Sequence, residues 1–68
     1  MKVSEFQRLI EDIYGDKDAA RGTAGTYMWF AEEVGELSRA LRRGDRAGLE
    51  GEFADVFAWL STLASMHQ

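Results

Sequence analysis

The sequence predicts an all-α protein. Proline is absent, apolar residues recur at steps of three and four, and glycine-rich segments divide the chain into three such periodic runs. The expected architecture is three helices in a single domain over residues 1–68. Helices two and three form an antiparallel hairpin, and the whole assembles into an oligomeric four-helix-bundle core. The first helix is expected from Ser4 to Tyr14. Ser4 and Gln7 have the spacing of a capping box, Val3, Phe6, Leu9, Ile10 and Ile13 supply the apolar stripe, and Gly15 supplies a C-terminal stop. The segment Gly15 to Gly25, GDKDAARGTAG, holds three glycines, four charged residues and no apolar side chain larger than alanine. It reads as a loop.

Helix two is expected from Thr26 to Gly44, with Phe30, Val34, Leu37 and Leu41 as its core stripe and the cationic last turn Arg42-Arg43 complementing the helix dipole. Gly44 suits the left-handed conformation that ends a helix, and Asp45 is placed to cap the next one. So short a connection makes helices two and three antiparallel. Leu49, Phe53, Val56, Leu60 and Leu63 form the third stripe, on a helix expected to run to the chain end, with first turns loosened by Gly48 and Gly51.

Size and composition narrow the function classes. A 7.7 kDa chain buries only about 60% of the surface it exposes when unfolded, so it needs a disulfide, a metal or a partner chain, and it has no cysteine. At 46% apolar and 12% aromatic residues it is too hydrophobic to be disordered. A net charge of -4 and a pI near 4.8 argue against nucleic acid and anionic membranes as partners. No run is long enough to span a bilayer, and Met1-Lys2-Val3-Ser4-Glu5 is no signal peptide, which leaves the cytoplasm as the default location.

Two carboxylate pairs carry the chemistry. Glu33 with Glu36, and Glu52 with Asp55, are each spaced i, i+3 and so lie on one helix face, where like charges repel. Both pairs flank the apolar stripes, with Trp29 a turn before the first and Trp59 a turn after the second. Flanking residues of an antiparallel hairpin meet along its seam, so the four carboxylates converge if the hairpin's hand puts them on the same edge. Four hard oxygen donors without histidine or thiol favour Mg²⁺, with Mn²⁺ as substitute, over zinc or copper. A di-iron carboxylate site requires Glu-x-x-His, and the lone histidine, His67, has Ala64 three positions before it. The competing account of the quartet is two solvated faces that happen to be acidic.

With Glu32 included, Glu32-Glu33-Val34-Gly35-Glu36 followed by Glu52-Phe53-Ala54-Asp55 resembles the Glu-Glu-x-x-Glu and Glu-x-x-Asp signature of the MazG-type nucleoside triphosphate pyrophosphohydrolases. The surrounding words, from Trp29 to Leu37 and from Phe53 to Leu60, resemble it too, and the likeness extends from about Arg21 to Ala64. The resemblance implies a helical protomer in a homodimer or homotetramer, and Mg²⁺-dependent cleavage of an NTP or dNTP to the monophosphate and pyrophosphate. It assigns Glu33, Glu36, Glu52 and Asp55 as metal ligands. Glu36, nearer solvent than Glu33, is the candidate base or water-positioning group; Glu32 matches the first motif glutamate, although helical projection turns it away from the core. Family members usually continue into a further helix with basic substrate contacts, whereas this chain stops thirteen residues after Asp55, so the resemblance is to a short or C-terminally truncated member.

Substrate contacts are expected from Lys17 and Arg21 in the glycine-rich segment, against the plainer reading of solvated loop charges, and from Trp29 as a wall for the base. Packing in a core or interface is the plainer reading for both Trp29 and Trp59. Arg39, Arg42, Arg43 and Arg46 are read as helix-dipole and surface charges, and His67 as a surface residue. The alternative to an enzyme is a helical dimerisation module that binds metal or nucleotide without turnover.

Overall fold

The computed structural model describes residues 2–67. It contains two helices packed antiparallel: α1, Val3–Arg43, and α2, Arg46–Met66. The expectation of three helices is corrected at the glycine-rich segment, which is helical instead of a loop except at Gly22, where φ is 82° and ψ is 171°. A straight 41-residue helix would be about 61 Å long, whereas the longest dimension of the molecule is 35 Å, so α1 folds back on itself at Gly22. Alanine-rich spacing and a run of charged residues sustain helix on both sides of that point. Gly15 and Gly25 lie within it at helical φ, so neither acts as a stop.

The bend has a local cause. Gly22 occupies a backbone region essentially closed to side chains, and its carbonyl accepts a hydrogen bond from Thr26 Oγ1 at 2.8 Å. Thr26 is fully buried. The expected Ser4 cap is also replaced: the helix begins at Val3 after Lys2, with no side-chain hydrogen bond at its start.

The hairpin turn forms as expected. Gly44 takes φ 67°, its N–H reaches the Leu41 carbonyl at 3.3 Å, and the Asp45 N–H reaches the Ala40 carbonyl at 3.1 Å. Asp45 then caps α2 by accepting from the Gly48 N–H at 3.0 Å.

Both arms of α1 lie on α2. Phe6 of the first arm meets Phe57 with ring centroids 5.0 Å apart, and Trp29 of the second stacks on Trp59 at 6.0 Å with ring planes 8° apart. Where the chain reverses, Thr23 Oγ1 lies 3.3 Å from Nε2 of the exposed His67. The apolar stripes do not all become core. Phe30, Leu37, Leu49, Val56 and Leu63 are half-buried, but Val34, Leu41, Phe53 and Leu60 face solvent, Leu41 at 54% and Phe53 at 53% exposure. Among the described residues Ala40 is the one apolar side chain that is buried; the rest of the dry interior is polar, namely Asp18, Thr26, Ser61 and Thr62. No helix among the described residues is long and apolar enough to cross a membrane.

Candidate metal centre

The register of the hairpin follows from one pair of rings. With Trp29 set against Trp59, four residues along α1 and four back along α2 bring Glu33 level with Asp55, and seven along each bring Glu36 level with Glu52. Steps of four and seven are one and two helical turns, so all four acids share the seam that the indoles occupy. Oxygens of Glu33, Glu36 and Glu52 lie within 4.8 Å of one another, and all three side chains are half-buried. Asp55 is exposed and stands outside that group of three, but its charge reaches both Glu33 and Glu52.

The electrostatics are those of acids crowded together with little compensating charge. Glu33 is pushed up to about 7, first by its withdrawal from water, then by the hydrogen bond with Glu36 and the charges of Glu36, Asp55 and Glu52. Glu52 moves in the same direction, chiefly through desolvation and then the charges of Glu36 and Asp55. Arg39 partly offsets the rise. Oε2 of Glu33 and Oε2 of Glu52 are both shielded from solvent and have no hydrogen-bond partner. A buried carboxylate oxygen without a donor is costly, and a cation ligated by oxygen removes the cost for both at once. An all-oxygen donor set of this kind suits Mg²⁺ or Mn²⁺.

Beside the acids lies a cleft of about 420 Å³ between the first arm of α1 and α2, lined by Lys17, Asp18, Arg21, Asp55 and Trp59, with Ile10 on its apolar wall. Asp55 thus belongs both to the acidic seam and to the cleft. Arg21 and Lys17, expected in a loop, project from helix. The Arg21 guanidinium lies 4.8 Å from the centre of the Trp59 ring and pairs with Asp18 at 2.9 Å. Trp29 is 48% exposed, stacked on Trp59 outside this cleft, and Glu32 is exposed and outside the three-carboxylate group. A second groove, lined by Glu36, Arg39, Arg43 and Glu52, opens toward the hairpin turn.

Sequence reasoning missed Asp18 and Thr26. The Asp18 to Arg21 spacing of i, i+3 was the available signal for a pair on one helix face, but it has meaning only once the segment is known to be helical.

Residues 22–68 match the family model described as the MazG nucleotide pyrophosphohydrolase domain. Comparison with curated proteins finds no match. The matched span starts at the bend and takes in the hairpin with all four carboxylates, while Lys17, Asp18 and Arg21 precede it.

Proposed function

The chain belongs to the MazG nucleotide pyrophosphohydrolase domain family, and from that membership we propose that it hydrolyses a nucleoside triphosphate, NTP or dNTP, to the monophosphate and pyrophosphate at a Mg²⁺ ion bound by Glu33, Glu36, Glu52 and Asp55. The observation that carries the reading is the pair of buried, partnerless oxygens on Glu33 and Glu52 within a three-carboxylate group.

The bound ion would neutralise phosphate charge and acidify a water molecule. The protein's own part is geometric and acid–base. Glu33 and Glu52 hold their carboxylates across the seam from opposite helices, fixed by the Trp29–Trp59 register. Glu36 is the proton acceptor for the attacking water, since it touches the other two acids and also borders the open groove near Arg39. Glu32, exposed and outside the three-carboxylate group, enters this reading only through its motif position. Lys17 and Arg21 are placed to meet phosphate oxygens in the cleft next to Asp55. Trp29, half exposed on its indole partner, offers a surface for the base.

The reading includes a homo-oligomer, a dimer or a dimer of dimers. Val34, Leu41, Phe53 and Leu60 lie exposed on a chain with almost no dry apolar core, and a second copy packing against them completes a four-helix bundle.

Incubation with a panel of NTPs and dNTPs in Mg²⁺, assayed for pyrophosphate, tests the activity. Release with at least one nucleotide is expected, lost on chelation. No release with any of them overturns the enzymatic reading; metal-dependent stabilisation without turnover would then make the chain a binding module. Light scattering on the eluted protein tests the oligomer, and a monomer at all concentrations removes it.

A further inference from the structure

Outside the acidic seam, Arg21 is a side chain held from several sides at once. Its Nη1 donates to Asp18 Oδ1 at 2.9 Å and to Thr26 Oγ1 at 3.4 Å. The Thr26 hydroxyl spends its own proton on the Gly22 carbonyl, which leaves its lone pairs facing the guanidinium. Asp18 and Thr26 are buried, although polar side chains of this size usually stay in water. Below, the guanidinium lies over the Trp59 ring. Along its stem, Gly25 leaves the space that Arg21 fills: a Cβ at that position would come within 2.8 Å of Arg21 Cγ. Acid, hydroxyl, indole and missing side chain therefore fix one cation from four directions.

The fixed cation stands in the cleft that Asp55 shares with the acidic centre. Its Nε and Nη2 donate to no protein acceptor among the described residues. A planar guanidinium held by one nitrogen, with its remaining N–H groups unengaged, is prepared for an oxyanion. We propose that Asp18, Gly25 and Thr26 are positioning residues that preorganise Arg21 as a clamp on a phosphate oxygen of the metal-bound nucleotide. Asp18 and Arg21 precede the segment that matches the family, so this device is a property of how this chain's first arm is bent back at Gly22. The proposal rests on the nucleotide reading given above.

Gly25→Ala is the sharpest test, because alanine favours helix and removes no polar group, yet it drives the Arg21 stem from its place. Asp18→Asn is the second variant: it keeps the shape and one acceptor oxygen and removes the charge. Binding of a non-hydrolysable α,β-imido dNTP, and separately of inorganic triphosphate, is measured by calorimetry in Mg²⁺ on the full chain, beside melting curves. Both variants are expected to bind both ligands about tenfold more weakly than wild type, while Mg²⁺ alone still raises the melting temperature of each, which shows that the fold and the acidic seam are intact. Arg21→Ala should match them, and adding Gly25→Ala to it should weaken binding no further. Unimpaired binding by Gly25→Ala and Asp18→Asn, where wild type binds, overturns the positioning and leaves the enzymatic reading standing. A loss seen with the nucleotide but not with triphosphate overturns the phosphate clamp in favour of a contact to base or sugar. A wild-type protein that binds neither ligand overturns the nucleotide reading, and the clamp falls with it.

Discussion

Two charged regions sit on either side of the same cleft and solve the problem of burial in opposite ways. At the bend, one acid meets one base: Asp18 pairs with Arg21 through a single guanidinium nitrogen, and the Thr26 hydroxyl accepts from that nitrogen while donating to the Gly22 carbonyl. In the hairpin seam, Glu33, Glu36 and Glu52 crowd within 4.8 Å, two of their oxygens are sealed from water without a donor among the described residues, and Arg39 offsets only part of the charge felt by Glu52. The buried acid at the bend has its counterion within the chain. The shielded oxygens of the seam have no such partner among the described residues, and acids left uncompensated at one place mark a candidate functional site.

The largest effect that would break this contrast comes from neutralising the seam. Glu33→Gln or Glu52→Gln supplies an amide donor where a carboxylate oxygen is unpartnered and removes one of the mutually repelling charges. Each variant should melt higher than wild type without metal, lose most of the Mg²⁺-induced rise in melting temperature, and lose pyrophosphate release by about 100-fold or more, the scale of deleting one preorganised electrostatic group. Metal-free variants that melt lower than wild type would mean that the acids are already satisfied, and the contrast would vanish.

Next comes the bend, which keeps the two regions side by side. Gly22 sits at φ 82° and ψ 171°, with nothing within 4 Å of where a Cβ would be, so the cost of Gly22→Ala is backbone strain alone. Strain in that region is about 1–3 kcal/mol, readable as a lower denaturation midpoint. Because Thr26 and Arg21 take their places from this residue, nucleotide affinity should fall while Mg²⁺ binding in the absence of nucleotide is preserved. Equal loss of both would show that the seam depends on the bend as much as the cleft does.

How these regions stand to the sequence differs as well. The seam was legible: residues i and i+3 on two helices, a turn too short for anything but an antiparallel pair, and an aromatic one turn beyond each acidic pair are local facts that project directly into space. Only the hand of the hairpin was missing, and the Trp29–Trp59 stack supplies it. The bend was not legible. Three glycines in GDKDAARGTAG counted as breakers, but helix propensity is a small preference that packing overrides, and Phe6 against Phe57 rewards the continuation of helix through Gly15. Only Gly22 acts as a break, and nothing local distinguishes it from Gly15 or Gly25. The stripes misled for another reason: a periodic apolar face says that something covers it, not that this chain does, and Leu41, Phe53 and Leu60 remain exposed.

Acidity separates the two regions more gently. Glu33 is held up to about 7 in the folded chain against an ordinary value of 4.5. Below the ordinary value the side chain is protonated in both the folded and the unfolded chain. Between the two values the unfolded chain releases a proton that the folded one keeps, so stability falls as pH rises and the contribution is gone once pH passes the folded value. The upward shift of Glu52 acts in the same sense. In chelator, the protein should therefore melt higher at about pH 5 than at about pH 8, and Mg²⁺, which takes the ionised form, should raise the melting temperature more at the higher pH. Metal-free stability that climbs over this range would contradict the picture of an uncompensated seam.

The smallest effect supplies the control that both regions need. Asp45 stands outside the three-carboxylate group, although it lines the groove that Glu36 and Glu52 border: its carboxylate is engaged with the Gly48 N–H at 3.0 Å and starts α2 just past the left-handed Gly44. Asp45→Ala removes one helix cap, worth about 1 kcal/mol, and should lower the melting temperature by the same amount with and without Mg²⁺, since it changes the folded state without touching what the ion binds. The seam variants change the difference between the two melts, whereas the cap variant must leave that difference alone. If Asp45→Ala narrows it, the acids are responding to the general loosening of the hairpin, and the metal response of Glu33→Gln and Glu52→Gln would no longer identify them as ligands.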